Sequence, residues 1–231
     1  MTKPVVIGIG GARSGVGKTT YASLLFRRLK GWGGVKYTKT EIYSSLVEER
    51  DILLTEGKDT RRMLDAGAER VLWIQSPPSV LEEVLPLAMR KLSDLKGIIV
   101  EGNSAIEFLA PDIIIFIFDD HSEKIKESAG SVLGKADVVL SEGRRPSGVS
   151  ERTRHLQKSV AHSEEFLITI LGMVHGKEKI QQSLRERSEN GRIPCSVARA
   201  IAEELKVDYR EVGRTANTLG IKIVNCEFGC F

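Results

Sequence analysis

Val5-Val6-Ile7-Gly8-Ile9-Gly10-Gly11-Ala12-Arg13-Ser14-Gly15-Val16-Gly17-Lys18-Thr19-Thr20 runs from an apolar, strand-type segment through a glycine-rich turn into Gly17-Lys18-Thr19. Ala22, Leu25, Phe26 and Leu29 follow at helical spacing. Strand, loop and helix in that order form the phosphate-binding loop pattern, with Ala12 where its first glycine usually stands. The residue types answer a physical demand. Several backbone N–H groups must face one phosphate chain, which favours residues with small side chains or positive φ. The positive end of the following helix adds attraction for anions. Lys18 can follow the β- and γ-phosphates, and the Thr19 hydroxyl can ligate Mg²⁺. Arg13, Ser14, Gly15, Val16, Gly17, Lys18, Thr19 and Thr20 are therefore the expected nucleotide-binding residues.

Working outward, strand-type runs recur at Val35–Thr38, Val71–Ile74, Gly97–Val100, Ile113–Phe118, Asp137–Leu140 and Phe166–Ile170. Several are near-continuous apolar runs, the mark of parallel strands covered on both faces. Helical patterns lie between them, one running from a Ser79 cap toward Leu95, with Pro86 predicting a kink or a later start. The expected fold is α/β: a wound, mostly parallel P-loop NTPase-type sheet with ligands at the carboxyl ends of its strands. Polar Ser188-Glu189-Asn190-Gly191-Arg192 predicts a boundary, giving a nucleotide-binding domain over 1–189 and a small helical module over 190–231.

Bulk numbers exclude little else. The chain has 231 residues, 41% hydrophobic and 28% charged, with a net charge of +3. That balance does not by itself imply nucleic acid. No apolar run approaches the ~18 residues of a membrane span, and the first residues lack a signal-peptide pattern. The expectation is a soluble, cytoplasmic protein.

A phosphate-binding loop needs a carboxylate to hold Mg²⁺. Glu101, delivered by the Gly97–Val100 run and followed by Gly102, is the candidate; Ile113–Phe118 delivers Asp119 and Asp120, of which Asp119 competes. Asp59 sits in a glycine-started polar loop that suits either a switch near phosphates or a helix cap.

Gly57-Lys58-Asp59-Thr60, then Ala66-Gly67-Ala68, then Val100-Glu101-Gly102, behind the phosphate loop, resemble the molybdopterin-guanine dinucleotide biosynthesis protein B family. The resemblance covers about residues 4–120. It implies a GTP-binding, Mg²⁺-dependent accessory protein for molybdenum or tungsten cofactor maturation, commonly a dimer and a weak GTPase. By motif it places Gly15, Gly17, Lys18, Thr19 and Thr20 on the nucleotide, with Asp59 and Glu101 near the metal and γ-phosphate. The catalytic set so implied is Lys18, Asp59 and Glu101, and the Mg²⁺ ligands are Thr19 and Glu101. Two departures stand out. Lys36-Tyr37-Thr38-Lys39-Thr40-Glu41 replaces the family's histidine-bearing segment, and Ser141-Glu142-Gly143 stands where an Asn-Lys-x-Asp guanine reader would. An ATP-dependent kinase or ligase, with Lys39, Asp59 or Arg61 meeting the acceptor, is the alternative.

In the carboxy-terminal module, Pro194 starts one helix, and Asp208 with Glu211 forms a capping box for a second that Gly220 ends. The outline is that of a helix-turn-helix. Its basic residues Arg210, Arg214 and Lys222 are offset by Glu203, Glu204, Asp208 and Glu211, which argues against DNA and for packing or dimerisation. Cys195, Cys226 and Cys230 all fall in this module. They could converge on Zn²⁺ or an iron–sulfur centre, or be a small packed residue and two thiols near the end.

Overall fold

The computed structural model describes residues 3–55, 58–118, 127–143, 145–159 and 161–225. In chain order the elements are β1 (Val5–Gly11), α1 (Lys18–Arg28), β2 (Trp32–Lys39), β3 (Ser45–Val47), α2 (Arg50–Leu53), α3 (Asp59–Asp65) and β4 (Val71–Ser76). Then come α4 (Leu81–Lys91), β5 (Gly97–Glu101), α5 (Asn103–Leu109), β6 (Ile113–Ile117), α6 (Glu127–Gly134), β7 (Val138–Ser141) and β8 (Arg154–Gln157). The remainder is α7 (Ser163–Arg187), β9 (Arg192–Pro194), α8 (Cys195–Leu205), α9 (Tyr209–Leu219) and β10 (Lys222–Val224). The chain divides into two compact units, Met1–Ile168 and Thr169–Phe231.

The first unit is an eight-stranded sheet in the order β3-β4-β2-β5-β1-β6-β7-β8. Only the short edge strand β3 runs antiparallel, against β4. Ile7, Ile9, Ile99, Val100, Ile113 and Ile115 are fully buried, as strands covered on both faces require. One face packs Val35, Ile74, Leu85, Leu92 and Val100 together. Further along the same face, across β1, Ala12, Ile106, Phe116, Val132 and Val139 pack together. This is the P-loop NTPase-type α/β fold. β1 lies between β5 and β6, so the chain crosses to opposite sides of it, and sheets of this kind take their ligands at the carboxyl ends of the strands that flank such a crossover.

Glycine permits the tightest approach inside this sheet. A Cβ on Gly97 would lie 2.4 Å from the Trp32 ring, which is buried against that strand.

Three local expectations change. Phe166–Ile170 is not a strand but the start of α7. Its apolar residues continue as Val174, and the spacing of Phe166, Ile170 and Val174 is helical. β8 was not foreseen, because Arg154-His155-Leu156-Gln157 buries only Leu156 and carries almost no apolar signal. The helix expected from Ser79 starts later, at Leu81, after a short 3-10 turn over Pro78–Val80, and then runs through Pro86.

The second unit packs Ile180, Leu184, Ile193, Ile201, Val212 and Ala216 into its own core. β9 and β10 pair in parallel, with Ile193 opposite Ile223. Asp208 caps α9 through the Arg210 N–H at 2.8 Å. The Glu211 carboxylate meets Lys177 at 3.0 Å.

Candidate nucleotide site

The loop between β1 and α1 turns on two left-handed glycines, Gly15 at φ 74° and Gly17 at φ 105°. Neither is crowded, so the backbone conformation alone calls for glycine there. Gly11 is different: a Cβ there would come within 2.6 Å of the Val16 side chain, which is packed under the loop. Gly17 caps α1 without any side-chain hydrogen bond, and the first turn carries no acid. A helix start with neither a side-chain cap nor an acid of its own favours an anion at its positive end. Lys18 Nζ donates to the Arg13 carbonyl at 2.9 Å, which folds the ammonium over the loop. The Arg13 and Ser14 side chains are exposed on the outer bend, Val16 is buried, and Thr20 accepts a hydrogen bond from Arg62 at 3.0 Å.

Thr19 and Glu101 meet beneath this loop. Both are almost fully buried, at 4% and 1% exposure, and the Thr19 hydroxyl donates to Glu101 Oε2 at 2.8 Å. A hydroxyl and a carboxylate held together at the start of α1 are hard oxygen donors suited to Mg²⁺. They are the residues that would hold it, and the ion would supply charge neutralisation on the phosphate oxygens. Asp119, the competing acid, lies outside the described residues, as do Asp120 and Gly57.

Lys36 is the residue that the sequence reading passed over. It projects from β2, opposite Glu101 in the register of β5. Its ammonium donates to Glu101 Oε1 and, at 2.8 Å, to Asp59 Oδ2. Asp59 occupies the first turn of α3 without capping it; Lys58 is the cap residue. Burial works against the charged Asp59 carboxylate. The Lys36 hydrogen bond and charge, with help from Thr19 and Arg62, outweigh burial and hold Asp59 below the ordinary carboxylate value. Burial likewise opposes the Lys36 charge, but the Glu101 and Asp59 carboxylates prevail and raise its pKa. A lysine in the middle of the Val35–Thr38 strand was the available signal, since charges rarely enter such strands unpaired. Lys39 and Arg61 do not join the site: Lys39 pairs with Glu41 at 3.2 Å and Arg61 with Asp65 at 3.4 Å, all exposed.

Asn103, also unforeseen, ties the loop to the next strand. Its amide accepts from Gly11 N–H at 2.9 Å and donates to the Gly11 carbonyl at 3.0 Å. Gly102, at φ 137°, makes the corner that brings Asn103 back against β1, next to Glu101.

After β7, where a guanine reader would stand, Ser141 Oγ lies 2.6 Å from His155 Nε2, and Glu142 pairs with Lys158 at 3.1 Å. In the second unit Cys195 opens α8 and is half-buried, whereas Cys226 and Cys230 lie outside the described residues. Among the described residues no group of three His, Cys, Asp or Glu side chains forms a metal cluster, and no helix is long and apolar enough to cross a membrane.

No protein-family model and no curated protein matches this chain. Among solved structures it is similar to HypB from Helicobacter pylori in complex with nickel, at 17% identity and a TM-score of 0.49. That match covers 75% of this chain and 88% of that one.

Proposed function

We propose that the chain binds a magnesium nucleoside triphosphate at the β1–α1 loop and acts on its terminal phosphate, as a slow NTPase that changes state with the nucleotide. The observation that carries this is the buried Thr19–Glu101 pair beneath a glycine-turned loop over which the Lys18 ammonium is folded. Loop amides and Lys18 would bind the phosphate chain and offset the charge that builds on it as the terminal bond breaks. Thr19 and Glu101 would hold the metal. Asp59 and Lys36, on separate elements, would respond to the terminal phosphate, because a new anion there competes with two carboxylates for one ammonium.

The more specific reading is a GTP-dependent accessory protein of molybdenum or tungsten cofactor assembly, acting as a dimer in the cytoplasm. Its support is the ordered run of Lys58-Asp59-Thr60, Ala66-Gly67-Ala68 and Val100-Glu101-Gly102, whose acids Asp59 and Glu101 share Lys36. The three-cysteine metal site of Cys195, Cys226 and Cys230 is proposed with it on the sequence alone.

One observation favours the alternative, an ATP-dependent kinase or ligase. Lys36 brings a second ammonium to the site beside Lys18, as transfer to an anionic acceptor would use. Calorimetric titration with GTP and ATP analogues, with and without Mg²⁺, followed by a molybdopterin-binding assay, separates these readings. Failure of both nucleotides to bind the folded protein sinks them all.

A further inference from the structure

Counted along the chain, the charges of the carboxy-terminal helices are mixed. Placed on the helices, they separate. α8 and α9 are joined by residues 206–208, with Lys206 in the left-handed conformation at φ 53° closing the first helix. Val207 N–H returns to the Ala202 carbonyl at 3.0 Å, and Val207 packs against the core formed by Ile201, Ala202, Val212 and Ala216. A tight turn of this length between two helices sharing one core is the connectivity of a helix-turn-helix. α9 buries Val212, Thr215 and Ala216. At 100° per residue its opposite face carries Arg210, Gly213, Arg214 and Asn217, with no acid among them.

The acids are committed elsewhere. Glu204 holds Arg187 in a two-pronged pair, with one arm at 2.9 Å. Glu211 holds Lys177 at 3.0 Å, and Glu203 accepts the Tyr209 hydroxyl at 3.0 Å. Asp208 accepts the Arg210 backbone N–H. Both Arg210 and Arg214 side chains are exposed, and among the described residues no carboxylate pairs with either guanidinium.

We propose that this face of α9 binds the major groove of duplex DNA. An 11-residue helix about 16 Å long fits a groove ~12 Å wide. Arginine and asparagine are the side chains that pair in two-pronged fashion with guanine and adenine edges, and Gly213 between them lets the backbone come close. The A-form groove of double-stranded RNA is too narrow for a helix, and a protein partner would want an apolar centre that this face lacks. The second exposed cationic pair of the unit, Arg192 and Lys222, faces across the β9–β10 register and suits phosphates.

The test is fluorescence anisotropy of the full chain with a labelled duplex of random sequence, about two helical turns (~21 base pairs) long, over a salt series. Wild-type protein should bind with an affinity that falls steeply with salt. Arg210→Ala/Arg214→Ala should bind at least tenfold more weakly and flatten the salt slope by about 1–2. Both sites are exposed and alanine favours helix, so circular dichroism should find the variant folded. No binding by wild type at low salt, equal binding by the folded double variant, or equal affinity for double-stranded RNA of the same length would each overturn the proposal.

Discussion

Lys36 and Glu101 stand opposite each other on adjacent parallel strands, and the ammonium of one donates to the buried carboxylate of the other. A carboxylate at 1% exposure needs such a partner, because burying an isolated charge is costly. The same carboxylate is the one placed to hold Mg²⁺, so an internal cation and an added one address the same oxygens. Occupation by a magnesium nucleotide would then loosen Lys36, and through it Asp59 at the head of α3.

Replacing Lys36 by Met removes that internal cation. The Asp59 carboxyl should then titrate at higher pH, since burial, which raises it, loses its main opponent. The sign for stability follows. In wild type the depressed Asp59 contributes stability above its unfolded value of 3.8, and that contribution is lost as pH falls through the folded value. In Lys36→Met the Asp59 contribution should reverse, so acidification near pH 4 costs the variant less than wild type. Carbon-detected NMR titration of Asp59 and urea unfolding across pH 3–6 measure both. An unmoved Asp59 would show that the pair is not coupled.

Glu101→Gln keeps shape and drops charge. Nucleotide affinity without metal should change little, while Mg²⁺-dependent turnover should fall by about 100-fold or more. Lys36 keeps Asp59, so the stability cost should be moderate, about 1–3 kcal/mol. Turnover equal to wild type would remove Glu101 from the metal site and return attention to Asp119.

Lys18→Ala deletes the ammonium folded over the loop. The fold should survive, because Lys18 is half-exposed and its bond to the Arg13 carbonyl is local. Triphosphate affinity should drop by roughly 100-fold, the worth of one or two charge-assisted hydrogen bonds. Calorimetric titration decides it, and unchanged affinity would end the phosphate-loop assignment.

The sheet's inner strands and this loop were legible because each announces itself locally. Ile113 to Ile117 is an unbroken apolar run, and Gly15-Val16-Gly17-Lys18-Thr19 has few other uses. Glu101 and Asp59 could be singled out from short motifs as candidate acids, and both pair with Lys36. The element that joins them could not, because Lys36 becomes meaningful only when β2 is laid beside β5. Asn103 was hidden for the same reason: its partner Gly11 is 92 residues away in sequence. The segment at Phe166 misled because Ile168-Thr169-Ile170 is β-branched locally, while the helical period shows only over a longer window.

Gly97→Ala tests the packing that holds β5, and with it Glu101, in place. A methyl group would sit 2.4 Å from the buried Trp32 ring, so one of the two must shift. Overpacking of this kind costs about 1–3 kcal/mol. Thermal or urea unfolding should register the loss. A variant as stable as wild type would mean that the Trp32 ring can shift cheaply.

Asn103 offers a test of how the phosphate loop is aimed. Its amide donates to one backbone group of Gly11 and accepts from another, so both halves of the side chain are used. Asn103→Asp retains an acceptor for the Gly11 N–H but offers the Gly11 carbonyl nothing, and adds a charge beside Glu101. Asn103→Leu removes both bonds and leaves the Gly11 groups unsatisfied, at about 1–3 kcal/mol. Because β1 delivers the loop directly from Gly11, the damage should appear in nucleotide affinity as well as stability. The expected effect is roughly tenfold weaker triphosphate binding for Leu, with Asp also impaired and the decline steeper as pH rises and the carboxylate ionises. Nucleoside monophosphate affinity should change less than triphosphate affinity, since fewer loop amides are engaged. Equal loss for both would make Asn103 a general stabiliser of the fold instead of a positioning residue for the loop.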